Sequence, residues 1–164
     1  MRLPPPREPR RYRIALVCLG NICRSPMAHV VLEARLAEAG LADTVTVTSS
    51  GTGGWHEGKP MDERAAATLI EAGYDASRHR ARTFDTSWHD DHDLVLVMDA
   101  ANLRDVGGPG ERVAMFRDFD PDEPGAEVPD PYYGGAAGFE EVLRMVERTS
   151  ASIVAELRRE LSRT

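Results

Sequence analysis

The run RIALVC-LGNIC-RSPMAHVVLEARLAEAG, residues 13–40, leaves this chain few folds to choose from. Ile14 to Cys18 are apolar without a break, and lack the alternation of a strand with one wet face. They read as a strand buried on both sides. Ser25 and Pro26 then read as N-cap and first helical residue, because proline lacks only an N–H that would be orphaned there anyway. Met27, Val30, Val31 and Ala34 follow at helical spacing, and Gly40 ends the helix. A doubly buried strand leading straight into a helix opens a parallel sheet.

The rest of the chain repeats that pattern. TVTVTSSG (44–51) alternates as a strand, and MDERAAATLIEAG (61–73) reads as a short helix with Gly73 beyond its end. DLVLVMD (93–99) is a second apolar strand followed by the helical AANLRDV, and RVAMF (112–116) is a fourth strand. A loop rich in Pro, Asp and Gly covers 118–138. Phe139, Val142, Leu143, Val146, Ile153, Leu157 and Leu161 then mark a long closing helix. Alternating strands and helices imply right-handed crossovers and an α/β, three-layer αβα architecture, with ligands expected beyond the carboxyl ends of the strands. Cys18 lies at such an end.

With 164 residues and no internal repeat, one domain is expected over 12–164, preceded by a flexible, basic Pro/Arg-rich tail over 1–11. MRLPPPREPRRYR carries five arginines and one glutamate, so the remaining residues hold about −11 of the formal −7. It has no apolar stretch of the kind a signal peptide needs. So acidic a body has no broad basic face for nucleic acid, and no apolar run is long enough for a membrane. Any positive potential must be made locally. Cys18 and Cys23 are the only cysteines, which argues against a disulfide framework and for a reducing cytoplasm, although export without a signal peptide stays open. A monomer is expected.

The loop after the first strand carries the chemistry. Successive backbone N–H groups between a strand and a helix N-terminus can converge on one anion, aided by the helix dipole. Residues Leu19, Gly20, Asn21, Ile22, Cys23, Arg24 and Ser25 would form this phosphate-binding cradle, with Arg24 offering a planar fork to two anion oxygens. A cysteine on its floor, Cys18, would be held as thiolate, a nucleophile aimed at phosphorus. Gly20 permits close backbone approach, Asn21 tolerates a left-handed backbone and can brace the loop, and the Ser25 hydroxyl can donate to the Cys18 sulfur. A zinc site built on Cys18 and Cys23 lacks a second cysteine pair.

The motif VCLGNICRSP closely resembles the signature of the low-molecular-weight protein tyrosine phosphatases. SSGTGGWHEGKPMDERA (49–65), HRAR (79–82), DLVLVMDAANLRDV (93–106) and DPYYGG (130–135) resemble segments of that family in the expected order. The resemblance implies a four-stranded parallel sheet, hydrolysis of phosphotyrosine monoesters on proteins through a phosphocysteine, and neither cofactor nor metal. Two Asp-Pro pairs, Asp120-Pro121 and Asp130-Pro131, are both readable as turns. It is Asp130 in PDPYYGG that resembles the family's general acid. The same likeness puts Trp55, Tyr132 and Tyr133 with Ile22 around the cleft, makes Tyr132 and Tyr133 candidate targets of a tyrosine kinase, and has His79 brace the phosphate loop. Cys23 is a candidate partner for oxidised Cys18, forming a protective disulfide. His29 stands where many members carry an acidic residue, a difference expected at the pocket's outer edge.

Three other readings compete. A protein-arginine phosphatase is similar, but such enzymes tend to carry Thr at the position of Ile22, whose bulk favours an aryl ester. An arsenate reductase of the same fold needs relay cysteines, and none follows Cys23. A non-catalytic phosphotyrosine-binding module would not need Cys18, Arg24 and Asp130 together. WHDDHD (88–93) reads as a solvated helix end before a strand rather than a metal site.

Overall fold

Cys18 ends the strand at which the sheet changes direction. The protein is described by a computed structural model covering residues 2–163. Its elements are β1 (Tyr12–Cys18), α1 (Arg24–Glu38), β2 (Val45–Gly51), α2 (Glu63–Glu71), α3 (Trp88–Asp91), β3 (Leu94–Val97), α4 (Ala100–Asp105), β4 (Val113–Met115), a 3-10 turn (Phe116–Phe119) and α5 (Ala136–Leu161). The four strands run in the order β2-β1-β3-β4 with every pairing parallel. The chain moves to one side of β1 to form β2, then to the other for β3. The loop after β1 therefore opens at the topological switch point, where such sheets leave a crevice.

Strand alternation divides the core. Ile14, Leu16, Leu94 and Leu96 face one layer with Met27, Val31, Leu32, Phe139, Val146 and Ile153 of α1 and α5. Ala15, Val17, Val95 and Val97 face the other, a thinner layer with Val106 and the partly buried Phe84, Trp88 and Leu103. The larger side chains thus point at the long helices and the smaller ones at the short helix α4. Phe139 is fully buried in the first turn of α5, and truncating it to alanine would cost about 3–5 kcal/mol.

Three expectations change. Helix α1 begins at Arg24, with Cys23 at its N-cap position and no side-chain cap. Ser25 is therefore not the cap. Its hydroxyl turns to Cys18 instead, satisfying a functional sulfur rather than a helix amide. Secondly, within residues 1–11, expected as a flexible tail, the stretch 3–7 is tied to the domain while 8–11 are exposed. Leu3 is buried, Tyr12 Oη donates to the Pro4 carbonyl at 2.8 Å, and Asp93 accepts from the Arg7 amide at 2.7 Å. The Arg112 guanidinium also holds the Pro5 carbonyl at 2.9 Å. Buried apolar surface and these bonds together outweigh the tail's polar composition. Thirdly, His92 is not on a solvated helix end. It is buried, stacks on Trp88 with ring centres 4.9 Å apart, and bonds Thr48 Oγ1 at 2.7 Å.

Among the described residues no helix is long and apolar enough to cross a membrane, and no group of three or more His, Cys, Asp or Glu side chains is placed to hold a metal ion.

Candidate active site

The loop from Cys18 to Ser25 is held from outside by its carbonyl groups. Thr52 N donates to Cys18 O and Gly53 N to Leu19 O, both at 2.9 Å. Asp62 N donates to Ile22 O at 2.9 Å, and His79 Nε2 bonds Asn21 O at 2.7 Å. With the carbonyls taken outward, Gly20, Ile22, Cys23 and Arg24 have backbone N–H groups that bond no acceptor among the described residues. Asn21 N alone points to the sulfur of Cys18, at 3.3 Å. A loop with its acceptors spent and its donors free is built to receive an anion.

Asn21 makes that geometry. Its φ of 56° is left-handed, a conformation asparagine tolerates better than most residues. Its side chain donates to Ser25 Oγ at 2.8 Å and Ser49 Oγ at 3.1 Å, and accepts from Arg82 N at 2.9 Å. Ser25 Oγ, accepting from Asn21, has one hydrogen to give. It lies 3.0 Å from Cys18 Sγ and 3.3 Å from Ser50 O. That hydrogen can serve the carbonyl while the sulfur is a thiol and turn to the sulfur when it is a thiolate.

The backbone closeness credited to Gly20 belongs chiefly to Gly51, at the end of β2. A Cβ there would stand 2.7 Å from Leu19 O and 2.9 Å from Asn21 N, whereas one on Gly20 would come no nearer than 3.1 Å to any group, the nearest being the His56 ring. Strand pairing sets Gly51 opposite Cys18. Nothing local in the sequence marks it.

Arg24 is buried, and its fork is half occupied. Nη1 donates to Asp99 Oδ2 at 2.6 Å and to Val128 O at 3.0 Å, whereas Nη2 has only Asp130 Oδ2, 3.7 Å away. The Nε–Nη2 edge is thus left to grip two anion oxygens. Burial alone would lower the guanidinium pKa, but Cys18, Asp99 and Asp130 together raise it. Asp99 is itself fixed by the Asn102 amide at 2.8 Å, as N-cap of α4. Sequence reasoning missed Asp99. An acidic residue after an apolar strand, just before a helix, was its available signal.

Cys18, Leu19, Gly20, Ile22, Cys23, Arg24, Trp55, His56, Asp130, Tyr132 and Tyr133 line one cleft of about 350 Å³. Asn21, Ser25 and His79 stand behind it as supports. Trp55 is 67% and Tyr133 91% exposed at the rim, and the two tyrosine rings meet edge to face at 5.0 Å. Asp130, one-third exposed, has one oxygen on the Tyr132 amide at 3.1 Å and the other near Arg24. Asp120 lies outside the cleft, wholly buried between Arg117 and Arg148.

Two further placements refine the expectations. His29 is not at the outer edge of the pocket but behind the loop, its Nδ1 3.1 Å from Ser49 Oγ and its Nε2 3.4 Å from Glu33. It reaches the cradle only through Ser49 and Asn21. Cys23 lines the cleft, yet burial pushes its thiol far above the ordinary range, with Asp62, Cys18 and Asp130 adding to the rise. His79 goes the other way. Burial lowers it to about 4, so the ring is neutral at neutral pH and Nε2 must carry the proton that Asn21 O accepts.

A model of the low molecular weight phosphotyrosine protein phosphatase family matches residues 13–163. A low molecular weight protein-tyrosine-phosphatase of Streptomyces coelicolor is 48% identical over 92% of this chain and 96% of its own. Low molecular weight protein-tyrosine phosphatase A of Mycobacterium tuberculosis is 45% identical over 82% of this chain and 84% of its own. Among solved structures, YfkJ from Bacillus subtilis superposes with a TM-score of 0.85 at 32% identity, covering 92% of this chain and 96% of that one. A protein tyrosine phosphatase from Entamoeba histolytica gives 0.85 at 30% identity over 90% and 97%. With a crevice at the switch point, a sulfur beneath free amides and a matched family model over nearly all its length, this chain belongs to the low molecular weight phosphotyrosine protein phosphatase family.

Proposed function

We propose that this protein hydrolyses phosphotyrosine monoesters on proteins through a phosphocysteine, with Cys18 as nucleophile and Asp130 as general acid and base. The carrying observation is that Cys18, the open edge of Arg24 and the carboxylate of Asp130 face one cleft, with Asp130 Oδ2 3.7 Å from Arg24 Nη2. In the first step the Cys18 thiolate forms a bond to phosphorus, the ester P–O bond breaks, and Asp130 gives its proton to the departing phenolic oxygen. In the second, Asp130 as carboxylate takes a proton from water, whose oxygen attacks phosphorus. The P–S bond breaks, phosphate leaves, and the thiolate is restored. In the transition state of each step three equatorial oxygens carry the charge, and the loop amides with Arg24 supply its main stabilisation. The Ser25 hydroxyl steadies the sulfur as it departs.

Trp55, Tyr132 and Tyr133 suit an aryl ring as walls, and Ile22 favours the aryl ester over phosphoarginine. The arsenate reductase reading is disfavoured because no cysteine follows Cys23 to relay a disulfide. The two free thiols suit a reducing cytoplasm. Tyr133, the more exposed of the pair, is the better target for a tyrosine kinase.

The test is phosphate release from a phosphotyrosyl peptide, with phosphoseryl and phosphoarginyl peptides as comparison. Rapid release from the first alone is expected, abolished by Cys18→Ser while that variant still binds inorganic phosphate. Preferred hydrolysis of phosphoarginine, or activity surviving Cys18→Ser, overturns the reading.

A further inference from the structure

Before Asp130 the acid loop is held at Val128, whose amide donates to Met98 O at 2.7 Å and whose carbonyl accepts from Arg24 Nη1 at 3.0 Å; after Asp130 a side-chain tie runs through a residue outside the cleft. Arg64 sits in the first turn of α2. Its Nε and Nη2 grip the two oxygens of Asp62 at 3.2 and 3.0 Å. Asp62 is the N-cap of α2, accepts from the amides of Arg64 and Ala65, and is 12% exposed in its side chain. The amide of Asp62 is also the one that donates to Ile22 O in the phosphate loop. So the base of Arg64 is anchored to the cradle by consecutive short bonds.

The outer end of Arg64 reaches the acid loop. Its guanidinium carbon lies 5.4 Å from the centre of the Tyr132 ring and 4.8 Å from that of Phe139. Its Nη1 donates to the Gly134 carbonyl at 3.4 Å. Tyr132 N in turn holds Asp130 Oδ1 at 3.1 Å, and Gly134 N closes a turn on Pro131 O at 3.0 Å. The guanidinium therefore meets the acid loop at two residues of the turn that begins at Asp130. A planar cation can do this because one edge serves a carboxylate while its face and remaining nitrogen serve a ring and a carbonyl.

We infer that Arg64 is a positioning residue that sets the height of Asp130 above Cys18, joining the phosphate loop to the acid loop through Asp62 on one side and Tyr132 and Gly134 on the other. This rests on the proposed acid role of Asp130. A proton donor must lie within hydrogen-bond reach of the leaving oxygen, and a displacement of about 1 Å can cost about a hundredfold. Lysine in place of Arg64 would keep the charge but lose the two-toothed grip and the flat face.

The experiment compares turnover of p-nitrophenyl phosphate, whose leaving group departs without a proton, with that of phenyl phosphate, which needs one. Arg64→Ala and Arg64→Lys are each made in wild type and in the Asp130→Ala background. The expected result is a fall of about tenfold or more in kcat/KM on phenyl phosphate, a change under about twofold in kcat/KM on p-nitrophenyl phosphate, and no further loss when Asp130 is already alanine, kcat/KM being the constant that reports the leaving-group step apart from phosphocysteine hydrolysis. Arg64→Lys carries the test should Arg64→Ala not fold. Equal losses on both substrates, no loss on either, or a loss that persists without Asp130 overturns the inference. If Asp130→Ala itself treats the two esters alike, it is the acid role that fails, which separates the two results.

Discussion

Two Asp-Pro pairs lie ten residues apart in the same loop, and the protein uses them in opposite ways. Asp120 has no exposed side-chain surface and is clasped by Arg117 Nε at 2.8 Å and by Arg148 at 2.8 and 3.0 Å. Burial alone would raise its pKa, but Arg148, the Asp122 amide and Arg117 hold it well below the usual carboxylate range. Asp130 is one-third exposed, with one amide bond and one distant guanidinium. A carboxylate locked between two arginines cannot trade protons near neutral pH. One set in an open cleft stands within reach of whatever binds there. The dipeptide says turn in both places, and the neighbours decide whether its carboxylate is locked in the interior or open to the cleft.

The largest effect that can break this comparison is on stability. Asp120→Ala should destabilise the fold by about 3–5 kcal/mol by taking from the buried Arg117 guanidinium its nearest carboxylate, while the folded fraction keeps its leaving-group dependence. Urea unfolding checks the first part and steady-state kinetics the second. A selective loss on poor leaving groups would mean that the roles of the two aspartates have been exchanged.

Next comes Asp130→Ala, expected to leave the melting temperature within a few degrees of wild type. The kcat/KM for phenyl phosphate, which reports the leaving-group step alone, should fall by about a hundredfold or more, and that for p-nitrophenyl phosphate much less. Equal losses would remove the acid role.

A third test asks whether the phosphate loop is locked in the same sense as Asp120. His79 has its pKa lowered from 6.5 to about 4 by burial, so the unfolded chain binds the extra proton first. Its contribution to stability is complete above pH 6.5 and is lost as pH falls toward 4, by about 2 kcal/mol after allowance for partial exposure. Asp120 adds its own loss only below about pH 4. Urea midpoints between pH 7 and 4 should therefore fall less steeply in His79→Asn than in wild type. Parallel slopes would show that His79 is not the buried neutral group described.

The smallest effect concerns Cys23. Its raised pKa keeps it protonated, so capture of an oxidised Cys18 should be slow at pH 6 and faster toward pH 9. After brief peroxide treatment, wild type should regain more activity with reductant than Cys23→Ser, by a margin that grows with pH. Full recovery of Cys23→Ser at pH 9 would remove the protective role.

Much of the site lay open to sequence reading because it is local. Cys18, Asn21, Arg24 and Ser25 sit on one eight-residue loop, and a strand before and a helix after leave that loop little freedom. The strands were legible for the same reason, since periodicity is a property of neighbours. Ser25 was misassigned because its hydroxyl suits either a helix amide or a sulfur, and only the position of Cys18 Sγ chooses between them. The burial of Leu3 was not legible, because composition carries no information on whether a side chain near the N-terminus finds a place in the core.

By itself, the chain's pattern of strands, caps and one crowded loop determined an α/β layer structure and an anion cradle with a sulfur at its floor. Tertiary structure alone decided that Asp120 is clasped between two arginines, that Asp99 and the Val128 carbonyl occupy one half of Arg24, and that Gly51 must lack a side chain. The physical reason is range. Backbone conformation follows from adjacent residues, whereas burial, charge pairing and the aim of a guanidinium depend on groups brought in from 104 positions away and more.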